Sequence, residues 1–277
     1  MRSRTPKIRS ALKTLNLLEG LCENAGHRTI ADISKEKKIP LASLYRQVST
    51  LEEAGLVVRI APGKFVASHK IFQMASHVNR NRVRAAIAET VLGKLARKFG
   101  TIAQLGTLDT GMVTYLLKVG DESDAFFTVV GSQLEAYCSA LGKILLAHSP
   151  SDVVSSYLKE GPFIALTENT ITDPEKLREE IARVKEQGYA QDREEIELNL
   201  SCLAVPIRDY DGVVRSAISI SQKLYNATGQ MPIQTDVILA GLRQAAAEIE
   251  AKSGGLPTGS AHDATSQDDV ASATMPC

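Results

Sequence analysis

Several features are missing from this sequence, beginning with any pattern of paired cysteines. The 277 residues include four cysteines, and no two of them form a C-x-x-C pair. This spacing argues against a structural zinc site and against a disulfide framework. We therefore expect the protein to reside in a reducing cytoplasm, with no metal ion and no cofactor.

Segments that would direct the chain to a membrane are also missing. No apolar run approaches the roughly 20 residues that a membrane helix needs. The opening stretch, MRSRTPKIRSALK, is basic but contains no apolar block and no small-residue cleavage site. We therefore expect neither a signal peptide nor a membrane partner.

Patterns typical of catalysis are scarce as well. None of the five histidines has a spacing to Cys138 or Cys202 that is typical of a nucleophile and its base. Gly106 and Gly111, like the pair Gly254-Gly255, lack the residues that flank a phosphate-binding loop. These absences predict that the protein is not an enzyme.

The formal net charge is zero, yet the charge is divided unevenly along the chain. The segment up to Arg84 has sixteen Lys/Arg and six Asp/Glu, whereas the remainder has sixteen Lys/Arg and twenty-six Asp/Glu. A basic segment followed by an acidic one indicates that the first part meets a polyanion and that the second has another task.

The basic segment predicts three helices. In the first, apolar residues recur at steps of three and four, which indicates one face of an amphipathic helix; they are Ile8, Leu12, Leu15, Leu18 and Cys22. Thr29 and Asp32 have the spacing of a capping box at the start of the second helix. The third helix spans about 41–54 and stops at Gly55, a plausible position for a helix-ending glycine.

The third helix has two distinct faces. Leu44, Val48 and Leu51 form a narrow apolar stripe, which must face the core. The opposite face carries Arg46 among small and hydroxyl-bearing side chains, with Tyr45 at its edge. Such a face can enter a major groove and donate hydrogen bonds to phosphates and to guanine edges.

Two β-rich runs, 56–60 and 64–67, flank Ala61-Pro62-Gly63 and predict a small hairpin. The hairpin and the basic charge favour a winged helix-turn-helix over the alternative of a generic three-helix bundle. We predict contacts with double-stranded DNA from seven residues, which are Thr29, Ser43, Tyr45, Arg46, Gln47, Ser49 and Lys64.

The acidic part predicts a mixture of helices and strands. A connecting helix over 71–99, broken around 77–84, is followed by strands at 101–108, 112–119 and 125–130, helices at 139–147, 151–158 and 173–187, strands at 189–192, 202–207 and 213–221, and a last helix at 233–252. Turn residues at Asp109-Thr110-Gly111 and Asp211-Gly212 predict hairpins, so we expect an antiparallel sheet in an α+β, sensor-like domain.

Several separated motifs show a family resemblance. They are TIADISKEKKIPLASLYRQVSTLEEAGLV in the basic part, and GSQLEAYCSALGKILLA, LTENTITDPEKL, GYAQDREE and CLAVPIRDYDGVVRSAISIS in the acidic part. In this order and spacing, the chain from about residue 7 to residue 252 resembles the IclR family of bacterial transcription regulators. Asn199 and Gln222 stand where the family often has glycine.

The resemblance implies an architecture and a ligand site. It implies a winged helix-turn-helix (8–69), a linker helix that dimerises (70–83) and a GAF-like effector-binding domain (84–253). The residues themselves predict a basic arm (1–7) before them and, because large apolar side chains are few there, a disordered tail (254–277) after them. The partners would be DNA, a small-molecule effector and further copies of the chain, as a homodimer or homotetramer. The implied effector-site residues are Ala140, Leu141, Asp192, Cys202, Ser219 and Ser221.

We therefore expect a ligand-responsive regulator of a catabolic operon, which binds a palindromic operator and senses a small organic acid. Two residues have plainer alternatives: Cys202 as a core residue, and Asp192 as part of a solvated charged run. Two other functions stay open. One is a cytosolic enzyme whose N-terminal bundle only mediates oligomerisation, and the other is a redox regulator that uses Cys138 or Cys202.

Overall fold

The computed structural model describes residues 6–24, 26–120, 128–225 and 232–253. The chain divides into two compact units, Met1–Arg80 and Asn81–Cys277, and this boundary falls within the expected linker 70–83. No helix in the described ranges is long and apolar enough to cross a bilayer. The expected tail 254–277, and all but the last two residues of the expected arm 1–7, lie outside the described residues.

The first unit contains four helices and one hairpin in its described part. Its elements are α1 (Arg9–Asn24), α2 (Ile30–Lys37), α3 (Leu41–Glu53), β1 (Val57–Ala61), β2 (Lys64–Ala67) and α4 (His69–Ser76). Strands β1 and β2 are antiparallel, and Ala61 lies opposite Lys64, so Pro62-Gly63 forms the turn. Three helices followed by this hairpin make the predicted winged helix-turn-helix.

Local sequence signals determine where these helices begin and end. The Thr29 hydroxyl accepts the Asp32 N–H at 3.2 Å, and the Asp32 carboxylate accepts the Thr29 N–H at 2.9 Å, which confirms the predicted capping box. Lys38 ends α2 in a left-handed conformation. Gly55, with φ of +71°, follows α3, a conformation that costs glycine little.

The apolar face of α1 that the spacing predicted is not the face that packs against the core. Ile8 and Leu15 are 71% and 52% exposed, whereas Leu17 and Leu21 are buried. Helix α1 carries two neighbouring apolar stripes, and only one of them can meet a core on one side of the helix. The residues of this core are Leu17, Leu21, Ile30, Ile33, Leu44, Val48, Leu51, Val57 and Phe65.

The second unit is built on one antiparallel sheet. Its elements are α5 (Arg80–Phe99, which begins at the boundary), β3 (Ile102–Asp109), β4 (Met112–Val119), β5 (Gln133–Glu135), α6 (Ala140–Ala147), α7 (Ser151–Lys159), α8 (Pro174–Gln187), β6 (Ala190–Arg193), β7 (Leu200–Arg208), β8 (Val214–Lys223) and α9 (Thr235–Lys252). The six strands lie in the order β5-β4-β3-β8-β7-β6. The predicted α+β class with an antiparallel sheet is confirmed.

The predicted hairpin between β3 and β4 closes on a two-residue turn. Asp109 lies opposite Met112, and the turn residues Thr110 and Gly111 have φ of +45° and +79°. Two successive positive φ values are those of a type I′ turn, whose twist suits a hairpin. The break predicted in the connecting helix is also present, at residues 77–79 between α4 and α5.

The strand predicted at 125–130 is wrong in its described part. Residues 125–127 lie outside the described residues, and 128–130 are not in a strand. The short strand that pairs with β4 is instead β5, with Val113 opposite Leu134. Strand β5 has only three residues, of which Leu134 alone is apolar, so it shows no alternation of apolar and polar residues that could be recognised from sequence.

Helices cover both faces of the sheet. Helices α6, α7 and α8 pack on one face, and α5 and α9 pack on the other. Ile218 and Ile220 of β8 belong to the cluster with α5 and α9, so Ser219 and Ser221 point toward the α6 side. Helix α6 is packed so closely that a Cβ on Gly142 would lie 2.2 Å from the Ala136 carbonyl oxygen.

Candidate functional site

In the first unit, the outer face of α3 is exposed and can contact another molecule. Leu44, Val48 and Leu51 are buried on the inner face, while Tyr45, Arg46 and Ser49 are exposed. No ion pair within the described part of the chain engages the Arg46 guanidinium. An exposed cation among hydroxyls is suited to phosphates and base edges.

Two further predicted DNA contacts, Ser43 and Gln47, lie at the edge of this face. Both are half-buried, and the Gln47 amide nitrogen lies 3.4 Å from the Ser43 hydroxyl as its donor. Their positions one turn apart on the same side of α3 keep them beside Arg46.

The last two predicted DNA contacts lie where the hairpin turn meets α2. Thr29 caps α2, and the Ile30 N–H donates to the Gly63 carbonyl at 2.9 Å. A Cβ on Gly63 would lie 3.5 Å from the Tyr45 hydroxyl and 3.9 Å from Thr29 Cβ. Lys64 follows this turn. The hydrogen bonds from Thr29 lower the pKa of Asp32 most, and the charge of Lys64 makes a smaller contribution in the same direction. The Thr29 hydroxyl is itself committed to the capping box.

A row of polar side chains crosses the α6 face of the sheet in the second unit. The Cys202 thiol lies 3.2 Å from the Ser221 hydroxyl, and the Ser221 hydroxyl donates to Gln104 Oε1 at 3.3 Å. Ser219 donates to the same Gln104 oxygen at 3.5 Å. The structure therefore brings Cys202, Ser219 and Ser221 together.

Gln104, which joins these side chains, is not among the residues predicted from the sequence. It lies opposite Ser219 in the β3–β8 pairing, and its amide donates to the Thr128 hydroxyl at 2.6 Å. A single glutamine in the apolar strand IAQLG could have indicated a buried polar contact. The sequence does not show its partner, because Ser219 is brought opposite Gln104 only by the register of β3 and β8.

The start of α6 lies on the same side of the sheet. The Ser139 hydroxyl accepts the Gly142 N–H at 3.0 Å and so caps the helix. Ala140 and Leu141 are buried in the apolar cluster against which Cys202 packs. The helix N-terminus concentrates partial positive charge, which favours an anion nearby.

Asp192 is fully buried, so the alternative that it belongs to a solvated charged run is wrong. It pairs with Cys202 across β6 and β7. Its Oδ1 accepts the Glu195 N–H at 2.7 Å, while Oδ2 has no hydrogen-bond partner. Burial, together with the charge of Glu195, raises the pKa of Asp192 to about 7.

A buried lysine, which the sequence analysis also missed, anchors the loop after β6. Lys143 of α6 donates to Glu195 Oε1 at 2.5 Å and lies 3.7 Å from Glu180 Oε1 of α8. Arg183 contacts the same Glu180 carboxylate. The one charged residue in the apolar helix ALGKILLA could have indicated a buried ion pair, because a buried lysine needs a partner of opposite charge.

The thiols of the second unit are poorly suited to redox sensing. Burial raises the pKa of Cys138 to about 12 and raises the pKa of Cys202 as well. Because the thiolate is the reactive form, neither thiol is activated at neutral pH. Among the described residues, no group of three His, Cys, Asp or Glu side chains is placed to hold a metal ion.

Two residues that depart from the family pattern stabilise the ends of the strands. Asn199 adopts a left-handed conformation, with φ of +66°, and its amide nitrogen donates to the Tyr225 carbonyl at 2.7 Å. Asparagine tolerates this conformation better than most residues, so it can replace glycine here. The side-chain amide of Gln222 accepts a hydrogen bond from the Ile233 N–H and donates one to the Ile233 carbonyl.

Sequence comparisons cover most of the chain. A family model described as bacterial transcriptional regulator IclR, C-terminal, matches residues 76–251. The HTH-type transcriptional regulator KdgR of Escherichia coli (strain K12) is 30% identical over 216 residues, which span 77% of this chain and 82% of KdgR.

Solved structures share the fold. IclR of Thermotoga maritima is 27% identical, with a TM-score of 0.57, and the match covers 90% of this chain and all of that one. An IclR homologue from Microbacterium hydrocarbonoxydans, solved in complex with 4-hydroxybenzoate, is 26% identical with a TM-score of 0.58, and the match covers 88% of this chain and 98% of that one.

Proposed function

This chain belongs to the IclR family of bacterial transcriptional regulators, and from that premise we propose that it is a cytoplasmic, ligand-responsive regulator of a catabolic operon. Residues 8–69 bind a palindromic operator, and the GAF-like domain, 84–253, senses a small organic acid. The observation that carries this proposal is the exposed α3 face, where Arg46 has no ion-pair partner in the described part of the chain.

The charge distribution and the hairpin support the DNA-binding role. The segment up to Arg84 has ten more basic than acidic residues, which favours approach to a phosphate backbone. Gly63 in the hairpin turn lies beside Tyr45 and Thr29 at the N-terminus of α2, and Lys64 is the next residue along the chain. Phosphate contacts from these residues fix the register in which α3 presents Arg46 to the bases.

The polar row on the sheet supports the sensing role. Cys202, Ser219 and Ser221 form a polar row on the α6 side of the sheet, and Cys202 packs against the cluster that includes the positively polarised start of α6. The homologue that binds 4-hydroxybenzoate is a precedent for an aromatic acid as ligand in this family. An acid that binds one state of this domain more tightly than the other shifts the DNA-binding equilibrium by linkage.

An electrophoretic shift assay on the DNA upstream of the gene, with and without carboxylic acids, tests the proposal. We expect retardation at low salt and a change in DNA affinity when an effector is added. Failure to retard any upstream fragment would contradict the DNA-binding role.

Arg46→Ala is expected to weaken operator binding by ~1–3 kcal/mol, because it removes a cation that contacts a base edge or a phosphate. Fluorescence anisotropy with labelled operator DNA measures this loss. Effector binding, followed by thermal shift, should not change. Arg178→Ala, an exposed arginine on α8, is the matched control. An equal loss of DNA and effector binding would show that Arg46 supports the fold instead.

A homodimer or a homotetramer would present two copies of the DNA-binding unit to the two halves of a palindrome. Leu12 and Leu15 of α1, with Ile8 just before it, form an exposed apolar stripe, and Phe72 and Met74 are exposed on α4. Exposed apolar patches of this kind mark surfaces that meet another protein. We propose that the α1 stripes of two copies pack together, with Phe72 or Met74 of α4 beside this contact.

Leu15→Glu is expected to weaken self-association by ~1–3 kcal/mol, because it places a charge inside the proposed apolar contact. Sedimentation equilibrium of the full chain measures the change. Val153→Glu, at an exposed position on α7, serves as the control for an added surface charge. Unchanged association of Leu15→Glu would exclude this α1 stripe as the contact.

A further inference from the structure

The buried carboxylates around Lys143 outnumber the cations that meet them. Lys143 pairs with Glu195 and Glu180, and Arg183 also contacts Glu180. Asp192 is buried beside this cluster, and no cation pairs with it in the described part of the chain. With every group ionised, two cations face three carboxylates. The cluster is therefore neutral only when one carboxyl group carries a proton.

Asp192 is the carboxyl group placed to carry that proton. Oδ2 of Asp192 and Oε2 of Glu195 are both buried without a hydrogen-bond partner. Glu195 accepts the Lys143 ammonium on its other oxygen, whereas Oδ1 of Asp192 accepts only the Glu195 backbone N–H. Protonation at Oδ2 would convert an unpartnered acceptor into a donor. The burial of Asp192 and the charge of Glu195 raise its pKa to about 7, and they outweigh the opposing effects of the Glu195 amide, Lys143 and the Cys202 thiol.

The titratable side chains that face Asp192 from β4, β7 and the segment before α6 supply no positive charge. Cys202 faces it from β7, Tyr115 from β4 and Cys138 from the segment before α6. Burial raises the pKa of all three, so they stay neutral near pH 7. Lys143 of α6, the nearest cation, is already engaged by Glu195, and Glu180 of α8 adds a further negative charge.

We propose that the effector acid binds as an anion together with one proton from solvent, which Asp192 carries on Oδ2. This inference rests on the proposed function, because it takes Cys202, Ser219 and Ser221 as the neighbours of the anion. A carboxylate beside an ionised Asp192 would set two like charges together in a buried site. The proton removes this repulsion and provides a donor for the carboxylate.

Titration calorimetry in buffers of different ionisation enthalpy measures the protons taken up with each bound anion. The probes are 4-hydroxybenzoate, pyruvate and gluconate. At about pH 8 the wild type is expected to take up close to one proton, and its affinity is expected to fall by up to ~10-fold per pH unit above pH ~7. Asp192→Asn keeps a donor and is always neutral, so its binding should involve no proton and should not depend on pH. Asp236→Asn, exposed at the start of α9, is the matched control and should behave as the wild type does.

Three results would overturn the inference. Binding by the wild type without proton uptake, or equal uptake by Asp192→Asn, would contradict it while leaving the regulator proposal intact. No binding of any probe at about pH 6, where Asp192 is protonated, would contradict both this inference and the proposed effector class. The DNA shift assay would then show separately whether the regulatory role holds.

Thermal unfolding without ligand provides a second measurement. Because the pKa of folded Asp192 is raised, this side chain binds more protons in the folded state than in the unfolded state between pH ~4 and ~7, and its contribution to stability falls as pH rises through that window. The melting temperature of Asp192→Asn, relative to the wild type, is therefore expected to rise across the same window. A constant difference would show that the proton is not on Asp192.

Discussion

Gly142→Ala is expected to destabilise the second unit by about 3 kcal/mol or more, although alanine is normally the better helix former. The added Cβ would lie 2.2 Å from the Ala136 carbonyl oxygen and 2.3 Å from Ala136 Cα. These are backbone atoms, so relief requires α6 to move away from the segment before it. That movement would also displace Ala140 and Leu141 at the start of the helix.

Urea denaturation followed by circular dichroism measures this loss. Gly93→Ala is the matched control, because its Cβ would meet only Arg97 Nη1 at 3.6 Å, an ordinary contact. In the interior of α5 this control is expected to gain about 0.5–1 kcal/mol in the free energy of unfolding. If both variants gain stability, the close packing of α6 on residue 136 does not exist in solution.

Lys143→Met is expected to lower the free energy of unfolding by about 3–5 kcal/mol, because it leaves buried carboxylates without their cation. Glu195 and Glu180 are 4% and 7% exposed, so water cannot replace the ammonium group. Lys185→Met, an exposed position on α8, controls for the change of side chain and is expected to lie within about 0.5 kcal/mol of the wild type.

Two further measurements separate lost charge pairing from lost packing. Adding Glu195→Gln to Lys143→Met removes one of the unpaired charges and is expected to restore part of the stability. Burial already raises the pKa of Glu195, and losing Lys143 raises it further. The folded variant then binds more protons than the unfolded chain, so its deficit should shrink as the pH falls from about 7 to about 5. If the loss in the free energy of unfolding does not change with pH and is not reduced by Glu195→Gln, lost packing rather than lost charge pairing is its cause.

The parts of the fold that sequence predicted well are those set by neighbouring residues. Thr29 and Asp32 cap α2, Gly55 follows α3, and Thr110-Gly111 closes the hairpin because the needed atoms lie within a few positions of one another. The error on α1 has a different origin. Periodicity found an apolar stripe there, but only tertiary packing decides which of two adjacent stripes is covered.

The candidate site was predictable to a lesser degree. The alternation of Ser219 and Ser221 placed both on one face of a strand, as the structure has them. Gln104 and Lys143 were missed because their partners are distant in sequence. Ser219 meets Gln104 only through the β3–β8 register, and Glu195 meets Lys143 only after α6 packs on the sheet.

The alternation along β8 determines how far a signal must travel. Ser219 faces the α6 side of the sheet, where we propose that the effector binds, while Ile218 and Ile220, its immediate neighbours, are packed in one cluster with Leu92 of α5. One strand therefore separates the proposed effector site from α5, the helix that begins at Arg80. Under that proposal, a shift of β8 on ligand binding would change its packing against α5 directly, with no intermediate element.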